Sequence, residues 1–368
     1  MENVLFLLNH AGKAGTERYV RTLIEGAADY GMRPFFAYNE PGPLLDYLLE
    51  KGVPCRRIEM RGPFDLRAAR ELARVCGEFK IGVIQTNYLR ENYISVLAKI
   101  LFRNYLRIVY TNHFVTPNGL PVRLANMVMT RFDHRIISVC EAGVSRLIKN
   151  GNARKRIAVI HNAVDPSAWR PGADYGAVRA EARRRYGVGD GEQVFLCASR
   201  FAHDKGHAFL IESLDLLARR HGAEGLRVLL AGDGPLLDGV REMAEARGLT
   251  DTVSFIGYVK DMRSLFYAAD VYVNPSQHEA SSFLILEALA SGLPVIAADM
   301  GGNREIVNEK NGCGALIGYG DTEALCGAIQ AFRAGGRALE EKKLNAVKLI
   351  ESKFSLGDML AKTYASFY

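Results

Sequence analysis

What most constrains this chain is an alternation that runs along its whole length. Short apolar runs rich in β-branched residues take turns with longer stretches of helical periodicity. Strands joined through helices run parallel and need helices on both faces, so the pattern predicts open α/β sheets. In the first half, strands are predicted over Val4–Leu8, Pro34–Tyr38, Val83–Gln85, Ile108–Thr111, Arg135–Val139 and Ile157–Ile160. Helices are predicted over Thr16–Tyr30, Pro43–Lys51, Leu66–Phe79, Glu91–Leu101, Val122–Phe132 and Glu141–Asn150. Asp165–Glu192 breaks the rhythm, being rich in Pro, Gly, Asp and Arg and holding the single tryptophan, Trp169. Strands resume at Val194–Ser199 and continue through Arg227–Ala231, Val253–Ile256, Val271–Pro275, Pro294–Ala298 and Ala315–Ile317. A chain of 368 residues suits two domains of ~100–200 residues each. The expected organisation is residues 1–165 as one α/β domain, 166–192 as a linker, 193–354 as a second domain, and 355–368 as a helix crossing back to the first. Ligands of open parallel sheets bind beyond the carboxyl ends of the strands. Two such domains face to face would put the site in the cleft between them.

Composition narrows the function classes. Apolar residues make up 48% of the chain and charged residues 24%, an ordinary globular balance that excludes disordered and fibrous classes. No window approaches the ~20 apolar residues of a membrane span. Glu2 and the polar break at Asn9-His10 argue against a signal peptide. Six scattered cysteines, without CxxC pairs or metal-ligand spacing, predict reduced thiols in a cytoplasmic protein. Residues 1–170 carry 25 Lys and Arg against 15 acids, and the remainder 22 against 26. A basic half favours an anionic partner, an acidic lipid surface or a phosphate-bearing substrate, although a solvated surface would give the same count. No nucleic-acid-binding signature accompanies the charge, so no nucleic acid is expected.

Three loops could carry chemistry. Asn9 to Glu17 places glycines between a strand and a helix, where backbone can approach a phosphate and the helix end favours an anion. A plain tight turn would read the same. Glu40, after the second strand, resembles a ribose-binding acid, but the glycine spacing is not that of a dinucleotide fold. Cys197 to Gly206 ends a strand and presents two cations before a helix. Arg200 can grip phosphate bidentately and Lys205 supplies a point charge, unless Asp204 neutralises it. In Asn274 to Pro294, Ser281 or Ser282 can cap a short helix that Gly292 and Pro294 stop. Glu287 then falls mid-helix among Leu284, Ile285, Leu286, Ala288 and Leu289, where a carboxylate must be exposed or hydrogen-bonded. Its two acceptor oxygens suit a vicinal diol such as ribose, and Glu279 stands in the loop before the helix. Two carboxylates around a helix end describe a nucleotide-sugar site. A Glu287 facing solvent is the competing reading.

Taken in order, these segments resemble the family 4 retaining glycosyltransferases over nearly the whole chain. Ala14-Gly15-Thr16-Glu17-Arg18 is similar to the family's N-terminal glycine motif, and Thr111-Asn112-His113 to its threonine–histidine segment. Ser138 with Val144-Ser145 resembles its serine segment. Val159 to Asp165 resembles its Asn-Gly-Val-Asp hinge, with Ala163 in place of glycine. Arg200, Lys205 and Gly206 keep the family's spacing, and Ala231 to Pro235 and Phe255 to Tyr258 resemble two later landmarks. Glu279 and Glu287 are similar to its paired glutamates, with Gly292 and Pro294 after them and Gly301-Gly302 and Glu305 beyond. The departure is Ala280-Ser281-Ser282-Phe283, where the family has glycine and often an aromatic and a small residue after the first glutamate.

The resemblance implies the GT-B fold, two Rossmann-like αβα domains facing across a cleft. It implies transfer, with retention, of a hexose-type sugar from a nucleotide-sugar donor, UDP favoured, to a glycan or lipid-linked envelope acceptor. Arg200 and Lys205 would neutralise the leaving diphosphate, Glu279 would bind the transferred sugar, and His113 would touch sugar or diphosphate. Gly15, Gly234, Tyr258, Ala280, Ser281, Ser282, Phe283 and Glu287 would contact the donor. No cofactor or metal is expected, since no DxD pair follows a strand. Family members often dock peripherally on the cytoplasmic membrane face. The basic first half and the helix Leu120–Phe132, with Met127 or Met129 exposed, would suit an anionic membrane surface, whereas methionines buried as core would not. A sugar-nucleotide epimerase on a similar fold and a non-catalytic nucleotide-sugar-binding protein stay open.

Overall fold

Val4-Leu5-Phe6-Leu7-Leu8 is buried along its whole length, as befits a strand with helices on both faces. It forms the centre of β1 (Glu2–His10) in a computed structural model that describes residues 1–368 except Lys13, Asn104, Pro171 and Ala173. The chain divides into two units, Met1–Asn162 with Gly357–Tyr368, and Ala163–Leu356. In the first unit β1 is followed by β2 (Met32–Glu40), β3 (Cys55–Arg57), β4 (Ile81–Thr86), β5 (Arg107–Asn112), β6 (Arg135–Ser138) and β7 (Ile157–Val159). All are parallel, in the order β3-β2-β1-β4-β5-β6-β7. The direction of winding reverses between β1 and β4. Leu5 and Leu7 pack with Leu72, Val75 and Cys76 of the helix Leu66–Glu78, which Asp65 caps by accepting from Arg67 N and Ala68 N at 2.9 and 3.1 Å. Strand β3 was not predicted: three residues long, at the sheet edge and largely exposed, it carries no apolar run.

The second unit repeats the plan with β8 (Gln193–Ala198), β9 (Leu226–Ala231), β10 (Val253–Gly257), β11 (Val271–Asn274), β12 (Val295–Ala298) and β13 (Gly314–Ile317). Their order is β10-β9-β8-β11-β12-β13, again all parallel, with the reversal between β8 and β11. Alternate residues of each strand feed two cores, one on each face: Leu196 and Tyr272 on one, Phe195, Cys197 and Val273 on the other.

Residues 166–192, read from composition as a linker, are built into this unit. A turn over Pro166–Ala168 precedes Trp169, which meets Phe266 edge-on at 5.6 Å, and a helix spans Tyr175–Arg185. Its cations are neutralised within the unit rather than solvated. Arg179 donates to Tyr267 O and Ala269 O at 2.9 and 2.7 Å and pairs with Asp270 at 2.6 Å, while Arg183 lies 3.5 Å from the other oxygen of Asp270. The last helix, Leu356–Ala365, ends in residues of the first unit: Tyr364 stacks on Tyr30 at 4.9 Å and its hydroxyl donates to Leu23 O. Among the described residues no helix is long and apolar enough to cross a membrane.

Asp270 also accepts from Val194 N at 2.8 Å, so one carboxylate ties the helix Tyr175–Arg185 to the starts of β8 and β11. Asp270→Ala is expected to lower the unfolding free energy by about 2–3 kcal/mol in urea titration. A change within about 0.5 kcal/mol, the range of an ordinary surface substitution, would show that the tie does not hold that helix.

Candidate functional site

The second unit brings most of the candidate residues to the carboxyl ends of β8 and β11, the pair between which winding reverses. After β8 the chain is pinned by backbone: Ser199 N donates to Ala231 O at 3.0 Å and Phe201 N to Asp233 O at 2.9 Å. Phe201 is fully buried and stacks on His207, centroids 4.0 Å apart. Gly234 fits against this loop only as glycine, with φ at +153° and any Cβ only 2.5 Å from Phe201 O. Arg200 is thereby held between two fixed neighbours. It is exposed, and its guanidinium has no partner among the described residues. Gly234 therefore stands behind the arginine loop as a packing residue.

The turn His203–Lys205 ends at Gly206, with φ at +72° and any Cβ only 2.1 Å from Pro275 O. That close approach, with Gln277 N donating to Asp204 O at 2.7 Å, joins the loops after β8 and β11. Across the junction Lys205 Nζ lies 3.1 Å from Glu279 Oε1 and 3.5 Å from Asp204 Oδ2. Burial opposes the ammonium, but the two carboxylates outweigh it and raise the pKa of Lys205 above its ordinary value. Glu279 is only 16% exposed.

The loop then enters the helix Phe283–Ala290, capped by Ser282 Oγ accepting from Ile285 N at 3.4 Å. Ala280 O accepts from Gly302 N at 3.0 Å, which ties this loop to the Gly301-Gly302 turn after β12. Ser281 and Phe283 are half-buried at the helix entrance. Glu287 is 1% exposed, so it does not face solvent as the competing sequence reading had it. Tyr258 stands apart, 59% exposed beyond the edge strand β10, with β9 between it and β8.

Two candidates belong to the first unit. Gly15 opens the helix Gly15–Gly26 after β1, at that sheet's own reversal, followed by the buried Thr16 and Glu17. His113 follows β5, and its Nε2 lies 3.0 Å from Asn87 Oδ1. The amide of Asn87 is oriented by a reciprocal pair with Gln85, Nδ2 donating to Gln85 Oε1 at 3.0 Å, so the histidine ring must donate to Oδ1 and keep Nδ1 as an acceptor. Burial lowers the pKa of His113 to about 3, and the ring is neutral at neutral pH.

Three features were not anticipated. Gln85 and Asn87 orient His113, and their signal was the polar run Gln85-Thr86-Asn87 closing an otherwise apolar strand. Glu91 is buried, accepts from Asn9 N at 2.6 Å at the end of β1, and burial pushes its carboxyl up to about 7. His207, at the start of the helix after Gly206, carries a buried Nδ1 without a partner while Nε2 lies 3.2 Å from Ser199 Oγ. Nothing local in the sequence marks it. Among the described residues no group of three or more His, Cys, Asp or Glu could hold a metal ion.

Known proteins share this arrangement. Residues 14–168 match the family described as Glycosyltransferase Family 4, and residues 178–346 the family described as Glycosyl transferases group 1. An uncharacterized glycosyltransferase of Methanocaldococcus jannaschii is 31% identical over 160 residues, 43% of this chain and 40% of that one. Alpha-D-kanosaminyltransferase of Streptomyces kanamyceticus is 31% identical over 197 residues, 52% of this chain and 50% of that one. The matches thus span half or less of those two relatives' lengths. The crystal structure of Anabaena HepE in complex with UDP superposes with a TM-score of 0.88 at 20% identity, covering 100% of this chain and 99% of that one.

Burial lowers the pKa of His207 to about 4, against about 6.5 unfolded. The folded form binds fewer protons, so its contribution is complete above about pH 6.5 and is lost as pH falls toward 4. His207→Phe, which keeps the stack on Phe201, is expected to remove on the order of 2 kcal/mol of the stability lost between those pH values. Equal losses in wild type and variant, measured by urea titration at both pH values, would refute the assignment.

Proposed function

Since the chain belongs to the family 4, group 1 glycosyltransferases and has the GT-B fold, we propose that it moves a hexose-type sugar, with retention, from a UDP-linked donor to a glycan or lipid-linked envelope acceptor. The carrying observation is the cation pair at the reversal of the second sheet: Arg200 exposed and unpartnered, Lys205 held as an ammonium against Glu279. Cleavage of the bond between the sugar's anomeric carbon and the diphosphate leaves a growing negative charge on phosphate oxygen. Arg200 meets it with a planar fork and Lys205 with a point charge, both already in place before the reaction starts. Glu279 accepts from hydroxyls of the transferred sugar, and Glu287 and the Ser281–Phe283 helix entrance take the nucleoside and diphosphate side. Gly15 supplies close backbone approach, and neutral His113 accepts a sugar hydroxyl through Nδ1. Tyr258 flanks the nucleotide.

Glu279 is engaged with a cation and is unsuited to attack carbon. The acceptor hydroxyl therefore attacks from the face the diphosphate leaves, and its proton goes to the departing phosphate oxygen. The UDP bound by the structural neighbour supports a uridine donor. The alpha product named for the kanosaminyl relative supports retention, because D-hexosyl groups of UDP donors are α-linked. No metal is proposed, the two cations filling that role. An epimerase would consume donor without any acceptor, which the same assay detects.

With UDP-sugar donors and candidate glycan or lipid acceptors, Arg200→Ala is expected to lower kcat by ~10²–10³ with an unchanged melting temperature. A variant that retains full kcat would sink the proposed role of the cation pair. Product formation by the wild type is expected to persist in excess EDTA, and its abolition would overturn the metal-free reading.

A further inference from the structure

Large apolar side chains exposed to solvent gather on one face of the first unit. Leu120, Leu124, Met127 and Val128, each half exposed or more, share one stripe of the helix Leu120–Met129. Their spacing is the apolar face that normally turns to a core. Of that helix only Asn126 and Met129 are buried, so Met127 lies outside and Met129 inside. Phe132 and Ile148 extend the exposed face.

Charge is set into the same surface. Arg123, Arg131 and Lys149 line a pocket of about 340 Å³ together with Met127 and Ile148. None of the three has a carboxylate or a hydrogen-bond acceptor for its side chain among the described residues. Over residues 120–156 eight Lys and Arg stand against two acids, and one of these, Asp133, is buried. The pocket has a rigid floor. Asn126 Nδ2 donates to Asn150 O at 2.8 Å, and Asn150 in turn accepts from Asn118 N at 2.9 Å and donates to Thr116 O at 3.0 Å. Asn152, also lining the pocket and nearly buried, keeps Oδ1 without a partner.

We propose that this face docks on a bilayer containing anionic phospholipid. Arg123, Arg131 and Lys149 take the phosphodiester of a headgroup, Asn152 Oδ1 accepts a headgroup hydroxyl, and Leu120, Leu124, Met127 and Val128 enter the acyl boundary. Cations and aliphatic side chains interleaved on one helix fit a lipid interface, which supplies both an anion and an apolar phase. A nucleic acid would leave the aliphatic stripe uncovered, and the face offers no aromatic platform for bases. The surface would bring the enzyme to a lipid-linked acceptor, but its binding requires neither donor nor acceptor and stands apart from the proposed transfer.

The test is co-sedimentation of the full chain, without nucleotide, with vesicles of phosphatidylcholine alone or mixed with phosphatidylglycerol. Binding is expected only to the mixed vesicles and to weaken with salt. Arg123→Gln combined with Arg131→Gln should weaken it about 25-fold, at about fivefold per cation. Leu124→Ser combined with Val128→Ser should weaken it by roughly tenfold or more, through the exposed side chains alone. Thermal shifts with UDP should be unchanged in all variants, which separates this surface from the nucleotide site. Equal binding to both vesicles, no binding, or variants that bind as wild type does would overturn the proposal. A wild-type dimer that Leu124→Ser with Val128→Ser dissociates, with vesicles ignored, would assign the face to a second copy of the chain instead.

Discussion

The second unit's site depends on the contact between Lys205 and Glu279. Two loops leave neighbouring strands at the point where the sheet reverses its winding, and geometry alone would let them diverge. The 3.1 Å ion pair, the backbone bond from Gln277 to Asp204 and the press of Gly206 against Pro275 hold them as one surface. Removing one member of such a sheltered pair strands the other charge, at a cost of several kcal/mol. The pair also sets the electrostatics before any substrate arrives. Glu279 keeps Lys205 protonated, and Lys205 keeps Glu279 ionised and close to where a sugar would lie. An ammonium already in position needs no reorganisation when charge grows on a phosphate, which is the condition under which it contributes most.

The parallel sheets were legible because a strand buried on both faces must be apolar along its length. Every predicted strand of the second unit is present within a residue or two at its ends. The error at β3 has the same cause in reverse: Cys55–Arg57 is an exposed edge, held by backbone bonds that leave no trace in side-chain pattern. The segment 166–192 misled differently. Its arginines read as solvated, but Arg179 and Arg183 reach across more than eighty residues of sequence to backbone carbonyls and Asp270. Long-range pairing of this kind is invisible to composition. Within the site, the spacing of Arg200 and Lys205 and of the two glutamates could be read directly. The burial of Glu287 could not, since an amphipathic and an all-buried short helix share the same eight letters.

His113 shows where the limit lies within a single residue. Its position after a strand was apparent, and its chemistry was not. Asn87 and Gln85, brought beside it by the adjacent strand β4, decide which ring nitrogen carries the proton. Burial then keeps the ring neutral. A sequence can offer a histidine, but a fold decides whether it is an acid, a base or a fixed hydrogen-bond partner.

The distribution of arginine pairs extends the argument to the whole surface. Many exposed arginines are matched to a nearby carboxylate, as Arg74 to Glu71, Arg219 to Asp215, Arg263 to Asp261 and Arg304 to Asp299. Such pairs contribute little to stability. Their effect is to flatten the potential, so that a cluster of cations without partners rises above a neutralised background. The first half's excess of positive charge is not spread evenly but is densest over residues 120–156, on a face that also exposes an aliphatic stripe. Arg200 stands alone in the same way in the second unit, at the mouth of a parallel sheet. In both places the positive charge that the fold leaves uncompensated lies where an anion from outside would complete it.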